Sequence, residues 1–178
     1  RSDPQAVLLT YSICKFKGPG ECWGDATVML VESAVTDRSS ATRNIWSAPR
    51  PIASGLMSVG AGIELRHGSH RGRLLLPQSN NGLVSDDRGQ TWVQLPRAKE
   101  INWSGGESVI AELSNGSLLM ETRVSVLGGP SVPYNGTVYD SAWARSDSSG
   151  ASWTEYRIGP RPNVVDCAGD DITITIPQ

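Results

Sequence analysis

A chain of 178 residues has room for one ordinary core, and sixteen Lys and Arg against eighteen Asp and Glu exclude both the basic field of a nucleic-acid binder and an acidic tail. Nineteen Gly and eleven Pro punctuate short apolar runs, the composition of an all-β protein with many turns. No run of eighteen apolar residues is present to span a membrane, and no linker or low-complexity stretch divides the sequence, so residues 1–178 are expected to form a single domain.

Arg1-Ser2-Asp3-Pro4 has none of the features of a signal peptide. Val7-Leu8-Leu9-Thr10-Tyr11-Ser12-Ile13 predicts a buried strand, and the turn Gly18-Pro19-Gly20 returns the chain to a second, Ala26-Thr27-Val28-Met29-Leu30-Val31. Cys14 and Cys22 flank that turn at a spacing that permits a hairpin disulfide, with Cys167 left over; three buried free thiols are the alternative. Gly60-Ala61-Gly62-Ile63-Glu64-Leu65 leads through a polar turn holding His67 and His70 to Gly72-Arg73-Leu74-Leu75-Leu76-Pro77, a hairpin pattern followed by Gly82-Leu83-Val84. The two histidines, beside Arg66 and Arg71, read as surface residues.

Ser85-Asp86-Asp87-Arg88-Gly89-Gln90-Thr91-Trp92 then fits S-x-D-x-G-x-T-W. An Asp side chain accepts hydrogen bonds from nearby backbone N–H groups, and Gly supplies the positive φ of a tight turn, so Ser85, Asp87, Gly89, Thr91 and Trp92 are expected to pin a hairpin. Glu107-Ser108-Val109-Ile110-Ala111-Glu112-Leu113 and Ser117-Leu118-Leu119-Met120-Glu121-Thr122-Arg123 predict two strands joined by Ser114-Asn115-Gly116, a hairpin turn. A strand over 137–144 runs into Ser146-Asp147-Ser148-Ser149-Gly150-Ala151-Ser152-Trp153, the same turn pattern with Ser148 in place of Asp. A decayed copy falls between Ser33 and Trp46, where Trp46-Ser47-Ala48-Pro49 remains. The markers Trp46, Trp92 and Trp153 lie 46 and 61 residues apart, the spacing of four-stranded propeller blades with one insertion.

The turn pattern resembles the Asp box of sialidases and related β-propellers. G-x-G-I-x-L, H-x-G-R-L-x-x-P, the box and G-E-S-V-x-x-L-x-x-G-S-L-L-M-x-x-R follow in the order found in the middle of an exo-α-sialidase of the six-bladed propeller family. The resemblance covers residues 40–170. It implies about three to four blades of such a propeller, with blade-like repeats ending near Trp46, Trp92 and Trp153 and the start of a further blade over 163–178. Sialidases depart from the two-carboxylate glycosidase scheme by using a Tyr nucleophile, whose pKa near 10 requires a carboxylate beside it as base. The resemblance gives that role to Glu107. Arg123, sixteen residues on, matches one of the three arginines that clamp the substrate carboxylate, a contact suited to an always-charged, bidentate guanidinium.

Departures from the family bear on activity. Gly106 precedes Glu107 where many sialidases carry Asn, and Asp25 lies 82 residues before Glu107, about one blade closer than the family's acid. None of Tyr11, Tyr134, Tyr139 or Tyr156 stands where the nucleophile belongs, and that Tyr and the third arginine would follow Cys167 by another blade. This chain alone is therefore expected not to hydrolyse sialosides. Two functions stay open: a portion of a sialidase acting on sialylated glycans, or a non-catalytic propeller that binds glycans or is completed by another chain. No metal set or cofactor is implied, because two neighbouring His and scattered Cys do not make ligand spacing. Trp23, Trp103 and Trp143 are expected in core or turn packing. Glycosylation triplets at Asn102, Asn115 and Asn135 point, with the cysteines, towards a secreted or lumenal protein.

Overall fold

The computed structural model describes residues 6–14, 26–34, 46–55, 60–78, 81–95, 104–125 and 140–160. These residues form antiparallel strands with no helix among them, as the period-2 apolar runs and frequent turn residues require. The chain divides into two compact units, Arg1–Ser58 and Val59–Gln178.

The first unit holds a sheet of three strands in the order β1 (Ala6–Ile13), β2 (Thr27–Ala34) and β3 (Arg50–Ser54). β1 and β2 pair from Ala6↔Ala34 to Ile13↔Thr27. Val28 and Leu30 are buried, but Val7, Leu9 and Ile13 are 44–50 % exposed, so β1 is not the fully buried strand its sequence predicts. It is the terminal strand of its sheet, and alternate residues of a strand face opposite sides. β3 lacked an apolar pattern and was not foreseen. Trp46 bridges Ser33, and Ser47 brackets Glu32 by donating its N–H to the carbonyl (2.8 Å) and accepting the N–H on its hydroxyl (3.0 Å). Most of the decayed box between Ser33 and Trp46 lies outside the described residues. Cys14 is disulfide-bonded, which decides against three free thiols; its partner lies outside the described residues.

The second unit holds two four-stranded sheets. One runs β4 (Ile63–Glu64), β5 (Leu74–Gln78), β6 (Asn81–Ser85), β7 (Val93–Gln94); the other runs β8 (Ser104–Glu112), β9 (Leu118–Ser125), β10 (Asp140–Ser146), β11 (Thr154–Pro160). Each is a meander of consecutive strands. Their facing sides bury one core of Leu65, Leu75, Val84, Ile110, Leu118, Met120, Ala144 and Trp153, with Ile63 and Leu95 packed against it. The close approach of β4 and β5 to β8 depends on Gly60, where a Cβ would fall on the carbonyl oxygen of Ser108. That explains the glycine pair ahead of Ile63 in physical terms.

The Ser85–Trp92 turn is closed by its own side chains. Asp87 accepts the Thr91 N–H (2.8 and 3.0 Å) and the Thr91 hydroxyl (2.6 Å), Ser85 Oγ donates to Asp87 (2.7 Å) and accepts the Gly89 N–H (2.7 Å), and Trp92 Nε1 donates to the Gly89 carbonyl (3.0 Å). In the second turn Ser148 Oγ accepts the Ser152 N–H (2.8 Å) and meets the Ser152 hydroxyl (2.8 Å), while Ser146 Oγ accepts the Gly150 N–H (3.0 Å). Residue by residue the turns superpose in role: Arg88 and Ser149 have φ of 60° and 53°, and Gly89 and Gly150 have 87° and 89°. Two consecutive positive φ values explain the glycine at the second place.

Candidate functional site

The turns 85–92 and 146–153 lie at one end of each sheet in the second unit, and Glu107 and Arg123 lie along β8 and β9 away from that end. Their relation is set by register. Gly105 pairs with Val124 and Ser108 with Thr122, so Gly106 and Glu107 together oppose the single residue Arg123. This is a β-bulge, a device that re-aims a side chain and is concentrated beside active sites. Gly106, the residue where many sialidases carry Asn, supplies the extra position with no side chain to accommodate. Glu107 is thus the fourth residue of β8 rather than its first, and the bulge makes it a cross-strand neighbour of Arg123. On its other side Arg123 pairs with Ser141 of β10.

Immediately beneath the bulge lies a buried polar cluster that sequence reasoning missed. Ser108 Oγ and Thr122 Oγ1 are 2.9 Å apart, and Ser108 Oγ lies 3.5 Å from the Gln78 carbonyl. Ser108, Thr122 and Gln78 are each 1 % exposed. Gln78 ends β5, and among the described residues its Nε2 has no hydrogen-bond partner. A buried amide donor is costly unless it finds an acceptor. The available signal was the polar residue closing the apolar run Leu74-Leu75-Leu76-Pro77.

The opposite end is held by charge. Arg73 meets Asp86 through two parallel bonds (Nε to Oδ1 2.7 Å, Nη2 to Oδ2 2.8 Å), and its Nη1 donates to the Ser149 carbonyl (3.3 Å), so one guanidinium ties the first box to the second. Hydrogen bonding from Arg73 holds the Asp86 carboxyl below the usual carboxylate range. Glu112 accepts the N–H groups of Arg66 (2.7 Å) and His67 (3.0 Å), anchoring the 65–73 turn on β8. The bonds from Thr91, its hydroxyl first, lower Asp87 to about 2. His67 and His70 are exposed, as expected of surface residues, and Trp153 is in the core, while Trp143 is half-buried. Among the described residues no cluster of His, Cys, Asp and Glu could hold a metal ion, and no helix is long and apolar enough to cross a membrane. Asp25, Trp23, Trp103, Tyr134, Tyr139, Cys22 and Cys167 lie outside the described residues.

No protein-family model matches the chain. Among solved structures it is similar to the intramolecular trans-sialidase of Ruminococcus gnavus in complex with oseltamivir carboxylate (21 % identity, TM-score 0.56, 77 % of this chain and 27 % of that one). It is similar to the leech intramolecular trans-sialidase complexed with 2,7-anhydro-Neu5Ac (20 % identity, TM-score 0.55, 77 % and 19 %). It is also similar to the NanB sialidase of Streptococcus pneumoniae (21 % identity, TM-score 0.52, 76 % and 19 %). The chain spans about a quarter or less of each of these proteins. The antiparallel sheets and these similarities together show a sialidase-like fold.

Proposed function

We propose that this chain is a three-to-four-blade portion of a six-bladed sialidase propeller whose whole protein cleaves terminal sialic acid from glycoconjugates. The observation that supports the reading is the bulge, which makes Glu107 a cross-strand neighbour of Arg123 on the β8–β9 hairpin, away from its turn. In this reading Glu107 is the base that takes the proton of a tyrosine nucleophile supplied from elsewhere in the whole protein. Arg123 meets the sialoside carboxylate with parallel charge-assisted hydrogen bonds. Two structurally similar enzymes bind oseltamivir carboxylate and 2,7-anhydro-Neu5Ac, which fits a carboxylate-bearing ligand for such a clamp.

The test is release of fluorophore from an aryl α-sialoside by the whole protein. Glu107→Gln keeps size and removes the base, and should lower kcat by about 10²–10⁴ with little change in KM. Arg123→Ala should lower kcat/KM by roughly 10–100-fold, the worth of a charge-assisted hydrogen bond. Sialoside binding without turnover in the wild-type whole protein would instead identify a non-catalytic glycan-binding propeller.

A further inference from the structure

The β8–β9 turn carries the triplet Asn115-Gly116-Ser117, and its geometry singles out one atom. Asn115 Oδ1 accepts the Ser117 N–H (3.0 Å) and the Ser117 hydroxyl (2.6 Å). The backbone closes around it, Leu113 donating to the Ser117 carbonyl and Gly116 to the Leu113 carbonyl, both at 2.8 Å. Ser117 is buried at 3 % exposure, while Asn115 is exposed at the tip. The turn therefore uses only the oxygen of the Asn115 carboxamide. Nδ2 makes none of the turn's hydrogen bonds, so a substituent on it would leave every one of them intact.

We propose that Asn115 is an N-glycosylation site, carrying an oligosaccharide on Nδ2. In the reaction Nδ2 bonds to the anomeric carbon of an oligosaccharide activated as a lipid diphosphate. The bond from that carbon to the diphosphate oxygen breaks, the lipid diphosphate leaves with the electron pair, and one Nδ2 proton is released. Two further observations support the site. Cys14 is disulfide-bonded, which fits an oxidising compartment of the kind in which such glycans are added. Asn115 is also exposed at the tip of its hairpin, where an oligosaccharide can be attached. The inference is independent of the sialidase reading.

The experiment is peptide mapping of the protein isolated from the cells that make it, with peptide N-glycosidase release in heavy-oxygen water. Asn115 should be recovered as heavy-oxygen Asp, and Asn115→Asp expressed in the same cells should lose the mass of one glycan. That variant retains an acceptor for Ser117 and should keep the Cys14 disulfide and the thermal midpoint. Recovery of unmodified Asn115, or glycan only at Asn102 or Asn135, would overturn the proposal.

Discussion

The two Asp-box turns perform one task with different chemistry, and pH separates them. Asp87 holds its turn as a carboxylate at a pKa of about 2, below the value near 4 of an unfolded Asp. A folded-state pKa that is depressed contributes stability that is fully present above the unfolded pKa and lost as pH falls through the folded one. Asp87 should therefore destabilise the protein on acidification between about pH 4 and pH 2. Ser148, which accepts the equivalent N–H, does not titrate there. Asp87→Ser, copying the second turn, should flatten that limb of a stability-versus-pH curve measured by urea unfolding; a curve parallel to wild type would refute the assignment. The Ser108 and Thr122 hydroxyls give a second test at this scale. Thr122→Val preserves shape but leaves Ser108 with only the 3.5 Å contact to Gln78, and should cost about 1–3 kcal/mol in urea unfolding.

Among the elements, β4, β5 and β8 decide how the second unit holds together. Gly60 brings the chain ahead of β4 onto the Ser108 carbonyl, and backbone on both sides leaves little to yield. Gly60→Ala should cost about 1–3 kcal/mol, as overpacking does, and disturb β8 next to the bulge. Measured by thermal unfolding, it should lower the midpoint. Leu118, fully buried between the sheets, should cost about 2–5 kcal/mol as Leu118→Ala. These strands were legible because Leu74-Leu75-Leu76 and Ile110 to Met120 carry long apolar runs bounded by Gly, Asn and Pro. β3 was not, since five residues of mixed polar composition leave no periodic signal.

At the scale of the whole molecule, the chain matches 77 % of itself to sialidases but only 27 % and 19 % of their length. On the reading proposed for Glu107 and Arg123, which leaves the nucleophile to residues outside this chain, the 178-residue chain by itself should release no sialic acid. Activity from the isolated chain in the same aryl sialoside assay would contradict the division of roles proposed for Glu107 and Arg123.

By itself the sequence determined what depends on near neighbours: an all-β chain, the positions of the turns, and the pairing of Ser, Asp or Ser, Gly and Thr or Ser within each box. Those features rest on hydrogen bonds that span four residues or fewer, and local composition specifies them. Tertiary structure decided the rest. The bulge that sets Glu107 against Arg123 is a mismatch in register between two strands, visible only once both are paired. The burial of Gln78 beneath it, the reach of Arg73 from one box to the other, and the carboxylate of Glu112 holding a turn 45 residues away join segments distant in sequence. No periodicity announces such contacts, because each is selected by the packing of one sheet on the next.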